Sequence, residues 1–175
     1  MHANEKPTTA ELETQIPHAR SQNAVMKLVT WNVNSLKARE EFVADYLDEA
    51  RPDVVCLQEL KLEEKSVPRE LFEDRGYELA SHGQRQWNGV LIASKEPIPN
   101  VVKGLPEGDQ GQSRLIACQI GGLKLVNLYC PQGQAEDSPK FQYKLRFFQA
   151  LRQWIGDPKT ANEYARPFYR KRHGL

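Results

Sequence analysis

The chain has 175 residues, 39% of them hydrophobic, and a formal net charge of +1. That is enough for one domain with one core, but it gives no overall positive field to argue for a polyanionic partner. No apolar stretch reaches the ~20 residues needed to cross a bilayer, and the N-terminus lacks the basic-then-apolar pattern of a secretory signal, so a cytoplasmic location is expected.

Residues 1–25 carry Pro7, Thr8, Thr9, Glu11, Glu13, Pro17 and Ser21 among scattered apolar residues, too irregular to bury a face, and read as a flexible extension. The pattern changes at Met26. Lys27 to Val33 reads as a strand, and Ser35 can cap a helix whose Phe42, Val43, Tyr46 and Leu47 form one apolar stripe. Arg51-Pro52 ends it. Asp53 to Gln58 is a nearly continuous apolar run, as expected of a strand covered on both faces. A strand, a helix and a strand in succession make a β-α-β unit with parallel strands. Their C-terminal ends share the sheet edge where α/β proteins usually bind ligands, and that edge presents Asn32 and Glu59.

Pro68 to Arg75 predicts a short helix, with Pro68 near its first turn and Gly76 as its stop. Tyr77 to His82 and Gly89 to Ser94 are strand candidates separated by a polar loop. Two more, Arg114 to Ile120 and Leu123 to Tyr129, are joined by Gly121-Gly122, which supplies the positive φ angles of a tight hairpin. A last helix runs from Ser138-Pro139 to Ile155, with Phe141, Leu145, Phe148, Leu151 and Ile155 on one face and Gly156 at its end. Residues 157–175 are rich in Lys, Arg and Pro and lack periodicity. Cys56, Cys118 and Cys130 sit in apolar runs without paired metal spacing, which favours buried reduced thiols over a disulfide or a zinc site.

A carboxylate directly after a buried strand, facing a polar side chain on the neighbouring strand end, can fix a hard cation such as Mg²⁺, which takes few protein oxygens and keeps room for phosphate and water. Glu59 and Asn32 fit. By position alone, Asn32 as a helix cap and Glu59 as an ordinary turn residue fit as well.

The wording around them decides more. Thr30-Trp31-Asn32-Val33-Asn34-Ser35-Leu36-Lys37-Ala38-Arg39 and Leu57-Gln58-Glu59-Leu60-Lys61 resemble the first two motifs of the exonuclease III (AP endonuclease) family, within the endonuclease/exonuclease/phosphatase superfamily. Trp87-Asn88-Gly89-Val90, Arg114 to Ala117, Asn127 to Gly133 around Tyr129-Cys130-Pro131, and the helix with Tyr143-Lys144-Leu145 resemble later motifs, in family order. The resemblance implies an α+β fold, the four-layer α/β-sandwich of that superfamily. It is incomplete here, with residues 26–156 supplying mainly the first sheet with its helices. It also implies a Mg²⁺ or Mn²⁺ ion bound by Glu59 with Asn32, and Tyr129 directing its hydroxyl at the phosphate. Asn34, Gln58 and Lys61 would support the site or contact the backbone, and Lys37 and Arg39 would touch DNA phosphates. The implied partner is duplex DNA with abasic sites or 3′ ends. The implied activity is 3′–5′ exodeoxyribonuclease and AP endonuclease hydrolysis in DNA repair, with Lys61 and the Tyr-x-Pro context favouring the DNA branch over superfamily members acting on RNA, phospholipids or nucleotides.

The family's Gly-Asp-x-Asn and Ser-Asp-His motifs are absent from this sequence. Gly156-Asp157-Pro158-Lys159 ends a helix and has lysine where asparagine belongs; His173 follows Arg172, and His2, His18 and His82 match no catalytic position. The expectation is a chain inactive by itself, whose basic tail reflects a truncated or frameshifted reading frame. The alternative is a non-catalytic remnant or a partner-binding fragment.

Overall fold

A computed structural model describes residues 25–105 and 111–156; the expectations for the N-terminal extension before Val25 and for the tail after Gly156 lie outside the described residues. In chain order the elements are β1 (Leu28–Asn32), α1 (Glu40–Ala50), β2 (Val54–Gln58), α2 (Glu70–Glu73), β3 (Glu78–His82), β4 (Val90–Ser94), β5 (Val102–Lys103), β6 (Leu115–Ile120), β7 (Leu123–Leu128) and α3 (Pro139–Gly156), with 3₁₀ turns at Lys37–Arg39 and Glu64–Ser66. The two-residue β5 carries too little pattern to be read from sequence.

The strands form two sheets of order β1-β2-β4-β3 and β5-β6-β7. β1 and β2 are parallel, in register from Leu28 opposite Val54 to Asn32 opposite Gln58; every other pairing is antiparallel. Val43 and Leu47 of α1 and Phe72 of α2 cover the outer face of the first sheet at Val55, Leu57, Leu79 and Leu91. Val54, Cys56 and Ile92 meet Ile116, Cys118 and Ile120 between the sheets. Phe147 and Leu151 of α3 close the outer face of the second sheet over Leu115 and Ala117. The result is helix, sheet, sheet, helix, each layer packed on the next. β2 has neighbours on both edges and is covered on both faces, which is why all five of its residues are buried; each such side chain contributes roughly 1.5–3 kcal/mol by leaving water.

Several expectations shift in detail. The α1 stripe turns so that Val43 and Leu47 are buried while Phe42 is 62% exposed, because an i,i+4 pair points at the sheet and Phe42 lies a helical step (~100°) away. In α3, Leu145 and Phe148 are likewise exposed, and Phe147 and Leu151 are buried with Trp154 packed beside them. That helix carries two apolar stripes, and only the contact with the sheet chooses between them. Ser35 accepts from the Ala38 N–H at 3.4 Å within the 3₁₀ turn and so does not cap α1 itself. Arg51 ends α1 in the left-handed region as anticipated, its N–H donating to the Leu47 carbonyl. In the hairpin only Gly121 has positive φ, at 54°. Cys56 and Cys118 are buried thiols, whereas Cys130 lies just past β7 and is exposed.

Candidate metal and phosphate site

The parallel pairing of β1 and β2 brings both strand ends to one edge, and main-chain bonds extend the pairing past them. Val33 N–H donates to the Gln58 carbonyl (3.0 Å), Ser35 N–H to Glu59 (2.8 Å) and Leu36 N–H to Leu60 (3.1 Å). The β3–β4 turn is tied in by Leu60 N–H to Gly89 O (3.2 Å) and Lys61 N–H to Asn88 O (2.9 Å). Three chain segments are thereby fixed around one spot. Asn34, Ser35, Glu59, Lys61 and Asn88 all have positive φ, between 45° and 91°. Non-glycine residues held there cost on the order of 1 kcal/mol or more apiece, and such strain gathers where side chains must be aimed.

At the centre is the Glu59 carboxylate, whose side chain is 15% exposed. Asn32 Nδ2 donates to Glu59 Oε1 at 2.8 Å, and Lys61 Nζ stands 3.4 Å from Oε2. Lys61 also donates to Asn34 Oδ1, and the Asn34 main-chain N–H donates to Asn32 Oδ1 (3.1 Å), closing a ring of four residues. Partial burial pushes the Glu59 carboxyl up, but hydrogen bonds from Asn32, Tyr129 and Lys61, with the Lys61 charge, outweigh it and leave the group below the usual carboxylate range. The site therefore holds a carboxylate ionised at neutral pH.

Tyr129, the first residue past β7, directs its hydroxyl at Glu59. Burial, the bond to Glu59 and its negative charge raise the phenol's pKa, partly countered by Arg114. Arg114 holds Tyr129 in several ways. Tyr129 N–H donates to the Arg114 carbonyl (2.7 Å), the Arg114 guanidinium donates to the Tyr129 carbonyl (3.3 Å), and it lies 4.9 Å from the Tyr129 ring centroid. The same guanidinium is 5.9 Å from the Tyr143 ring and donates to Gln112 Oε1 at 2.7 Å. Beside these groups opens a cleft of about 670 Å³, lined by Glu59, Lys61, Trp87, Arg114, Tyr129 and Tyr143 among others.

The structure thus brings together Asn32, Asn34, Glu59, Lys61 and Tyr129. Gln58 is instead buried between the sheets, donating to Thr30 Oγ1 (3.0 Å), the Cys56 carbonyl (3.2 Å) and Asn127 Oδ1 (2.7 Å). Lys37 and Arg39 sit on the exposed 3₁₀ turn, with Arg39 folded back on the Ala38 carbonyl, and neither lines the cleft. Arg114 and Asn127 stood in motifs without an assigned role; a charged or amide residue inside or flanking an apolar strand was the available signal. Glu59 and the Asn32 carboxamide are hard oxygen-bearing groups on one shielded edge. Among the described residues no cluster of three or more His, Cys, Asp or Glu side chains forms a denser cage. A single carboxylate with open neighbouring space suits a cation such as Mg²⁺, which keeps several waters and takes phosphate oxygens.

Residues 29–165 match the endonuclease/exonuclease/phosphatase family. The chain is 32% identical over 136 residues to exodeoxyribonuclease III of Haemophilus influenzae, covering 74% of this chain and 51% of that protein. Its structure is similar to that of the 3′ phosphatase NExo from Neisseria bound to a product DNA hairpin, with 41% identity, a TM-score of 0.74, and coverage of 78% of this chain and 53% of that one. An AP endonuclease from Archaeoglobus fulgidus is similar too, at 38% identity and a TM-score of 0.72, covering 75% of this chain and 51% of that one. The chain spans about half the length of these relatives.

Proposed function

The chain belongs to the endonuclease/exonuclease/phosphatase family, and from that premise we propose that it carries the metal- and phosphate-binding half of a Mg²⁺- or Mn²⁺-dependent DNA phosphodiesterase of the exonuclease III type. The reading rests on one observation: the Glu59 carboxylate, kept ionised by Asn32, Lys61 and Tyr129, stands at the wall of the cleft. Glu59 would hold the ion, with Asn32 fixing the carboxylate and adding its own carboxamide. Bound there, the ion supplies charge neutralisation at a phosphate oxygen. Lys61 and Arg114 add positive charge along the cleft, and the Tyr129 hydroxyl is a hydrogen-bond donor for a phosphate oxygen once Glu59 turns to the cation. Duplex DNA with abasic sites or 3′ ends is the substrate this reading assigns, in base-excision repair.

Hydrolysis also needs a base to take a proton from water. Glu59 is held too acidic for that, and Tyr129 is a raised phenol. No other carboxylate and no imidazole among the described residues lines the cleft, so these residues by themselves bind metal and phosphodiester without efficient turnover, since groups that act as a unit lose orders of magnitude when one is missing. The test is Mn²⁺ binding followed by electron paramagnetic resonance, with cleavage of a duplex bearing an abasic analogue measured in parallel, for the chain and for Glu59→Ala. Binding lost in the variant supports the reading, and binding retained there overturns it. Rapid cleavage by the chain that vanishes in the variant would overturn only the inactivity.

A second reading, a partner-binding chain without catalysis, is favoured by β1. It ends its sheet, β7 lies over β2 and not over it, and Leu28 on its inner face is 41% exposed. Protection of the β1 amides from hydrogen exchange by a partner, unchanged in Glu59→Ala, would favour it.

A further inference from the structure

Resting on the nucleic-acid reading above, we propose that Trp87 is a stacking platform for the nucleobase next to the phosphate held at Glu59, so that this half-site binds a base and not only a phosphodiester. Trp87 lines the same cleft as Glu59, Lys61 and Arg114, yet 68% of it is exposed. A single exposed indole is ordinary; one carried on a pinned turn beside the cations of a cleft is not. Its two neighbours, Gln86 and Asn88, have φ of 64° and 51°. Asn88 is buried and donates to Gln84 Oε1 (2.8 Å) and Gln112 Oε1 (3.3 Å), while its carbonyl accepts from Lys61 N–H at 2.9 Å. Gly89 N–H donates to the Ser113 carbonyl at 2.9 Å. The turn is thus pinned to the β2 end on one side and to the start of β6 on the other.

A flat ring carried on a pinned backbone has only two side-chain torsions to settle when it stacks, and it recovers the apolar burial that the fold leaves undone at this position. The cations of the cleft, Lys61 and Arg114, attract phosphate but cannot see a base, because every nucleotide and every simple phosphodiester offers them the same oxygens. The indole supplies the missing contact. The main-chain bond from its neighbour Asn88 to Lys61, which itself contacts Glu59, places base and phosphate recognition on adjacent parts of one edge. Stacking tolerates any base, so the contact distinguishes nucleotides from other phosphodiesters without reading sequence.

The test compares fluorescein-labelled oligothymidylate with an oligomer of equal length and charge whose residues are all abasic, titrated with the full chain in Mn²⁺ and followed by anisotropy. The chain is expected to bind oligothymidylate roughly 5- to 100-fold more tightly than the abasic oligomer, the range set by one stacked base. Trp87→Ala should remove that preference while leaving abasic binding unchanged, and Trp87→Phe should restore most of it. Equal binding of the two oligomers by the wild-type chain, or equal loss of both in Trp87→Ala, overturns the proposal and leaves the phosphate reading standing. Failure of the wild-type chain to bind either oligomer overturns both.

Discussion

The carboxamides of Gln58 and Asn127 meet across the interface between the two sheets, Gln58 Nε2 donating to Asn127 Oδ1 at 2.7 Å. Asn127 Nδ2 in turn donates to the Leu57 and Leu91 carbonyls, both at 2.9 Å. One buried amide on β7 thereby satisfies groups on β2 and β4 and sets the second sheet against the strand that ends at Glu59. Asn127→Ala should destabilise the protein by roughly 2–4 kcal/mol, because it removes three buried hydrogen bonds that join the two sheets. Gln58→Ala should cost less: it removes the bond to Asn127, but Asn127 keeps its two bonds to the Leu57 and Leu91 carbonyls. Denaturant titration of both single variants and the double variant checks this, and strict additivity would refute the coupling.

Glu59→Gln keeps the side-chain volume but removes the charge and replaces one acceptor oxygen with a donor. The midpoint of thermal unfolding should stay within a few degrees of wild type, since an exposed-edge pair with Lys61 is worth at most about 1 kcal/mol. Divalent-cation affinity should fall at least about 10-fold, the loss of the one carboxylate a hard ion can use here. A titration showing wild-type Mn²⁺ affinity in the variant would remove Glu59 from the metal site.

How much of this was legible differs by element. β1, β2 and their parallel pairing follow from an apolar run broken by Arg51-Pro52 and Asp53, so Glu59 and Asn32 were placed together correctly. Gln58, beside Glu59 in sequence, reads as a residue supporting the site or contacting the backbone, and its side chain lies between the sheets. Only the register with β7, some 69 residues away in sequence, shows it turned inward. Arg114 is hidden for another reason: it lies 15 residues from Tyr129 in sequence, and only the hairpin pairing sets the two together. Phe42, Leu145 and Phe148 belong to the apolar stripes of their helices yet lie exposed, because helical spacing identifies stripes but not which stripe faces a sheet.

Tyr77 is buried, and its hydroxyl donates to the Pro52 carbonyl at 2.6 Å. Burial first, then the Asp53 charge, push its pKa to about 12. The folded value lies above the unfolded value of ~10, so the protonated phenol stabilises the fold fully below pH ~10, and that contribution is lost as pH rises through about 12. Denaturant stability at pH 9 and pH 11.5 should therefore fall more in wild type than in Tyr77→Phe. Parallel pH profiles would contradict the assignment.

The cysteines should separate by burial. Desolvation raises Cys56 to about 12 and Cys118 to about 11, and both lie between the sheets. Cys130 is exposed past β7. At pH 8 a thiol-specific disulfide reagent should titrate a single cysteine in the native chain, lost in Cys130→Ser, and all three after denaturation. Rapid reaction of more than one native thiol would mean that the inter-sheet core opens readily.

Gly89 combines a positive φ with a close approach to Leu60 beside the site. Its φ is +90°, and a Cβ there would stand 2.9 Å from Leu60 Cβ and 3.3 Å from Leu60 Cγ. Leu60 is fully buried and cannot retreat without moving its neighbours. Those neighbours are Glu59 and Lys61, and the Gly89 carbonyl itself accepts from Leu60 N–H. Gly89→Ala should therefore cost on the order of 1–3 kcal/mol through strain and overpacking. It should also weaken Mn²⁺ binding, because the shift is transmitted straight to the Glu59 carboxylate. Gly122→Ala is the matched control: a Cβ there meets nothing within 4 Å and no positive φ is required, so both stability and metal affinity should stay near wild type. Comparable losses in the two variants would mean that the close approach at Leu60 is not what fixes the site.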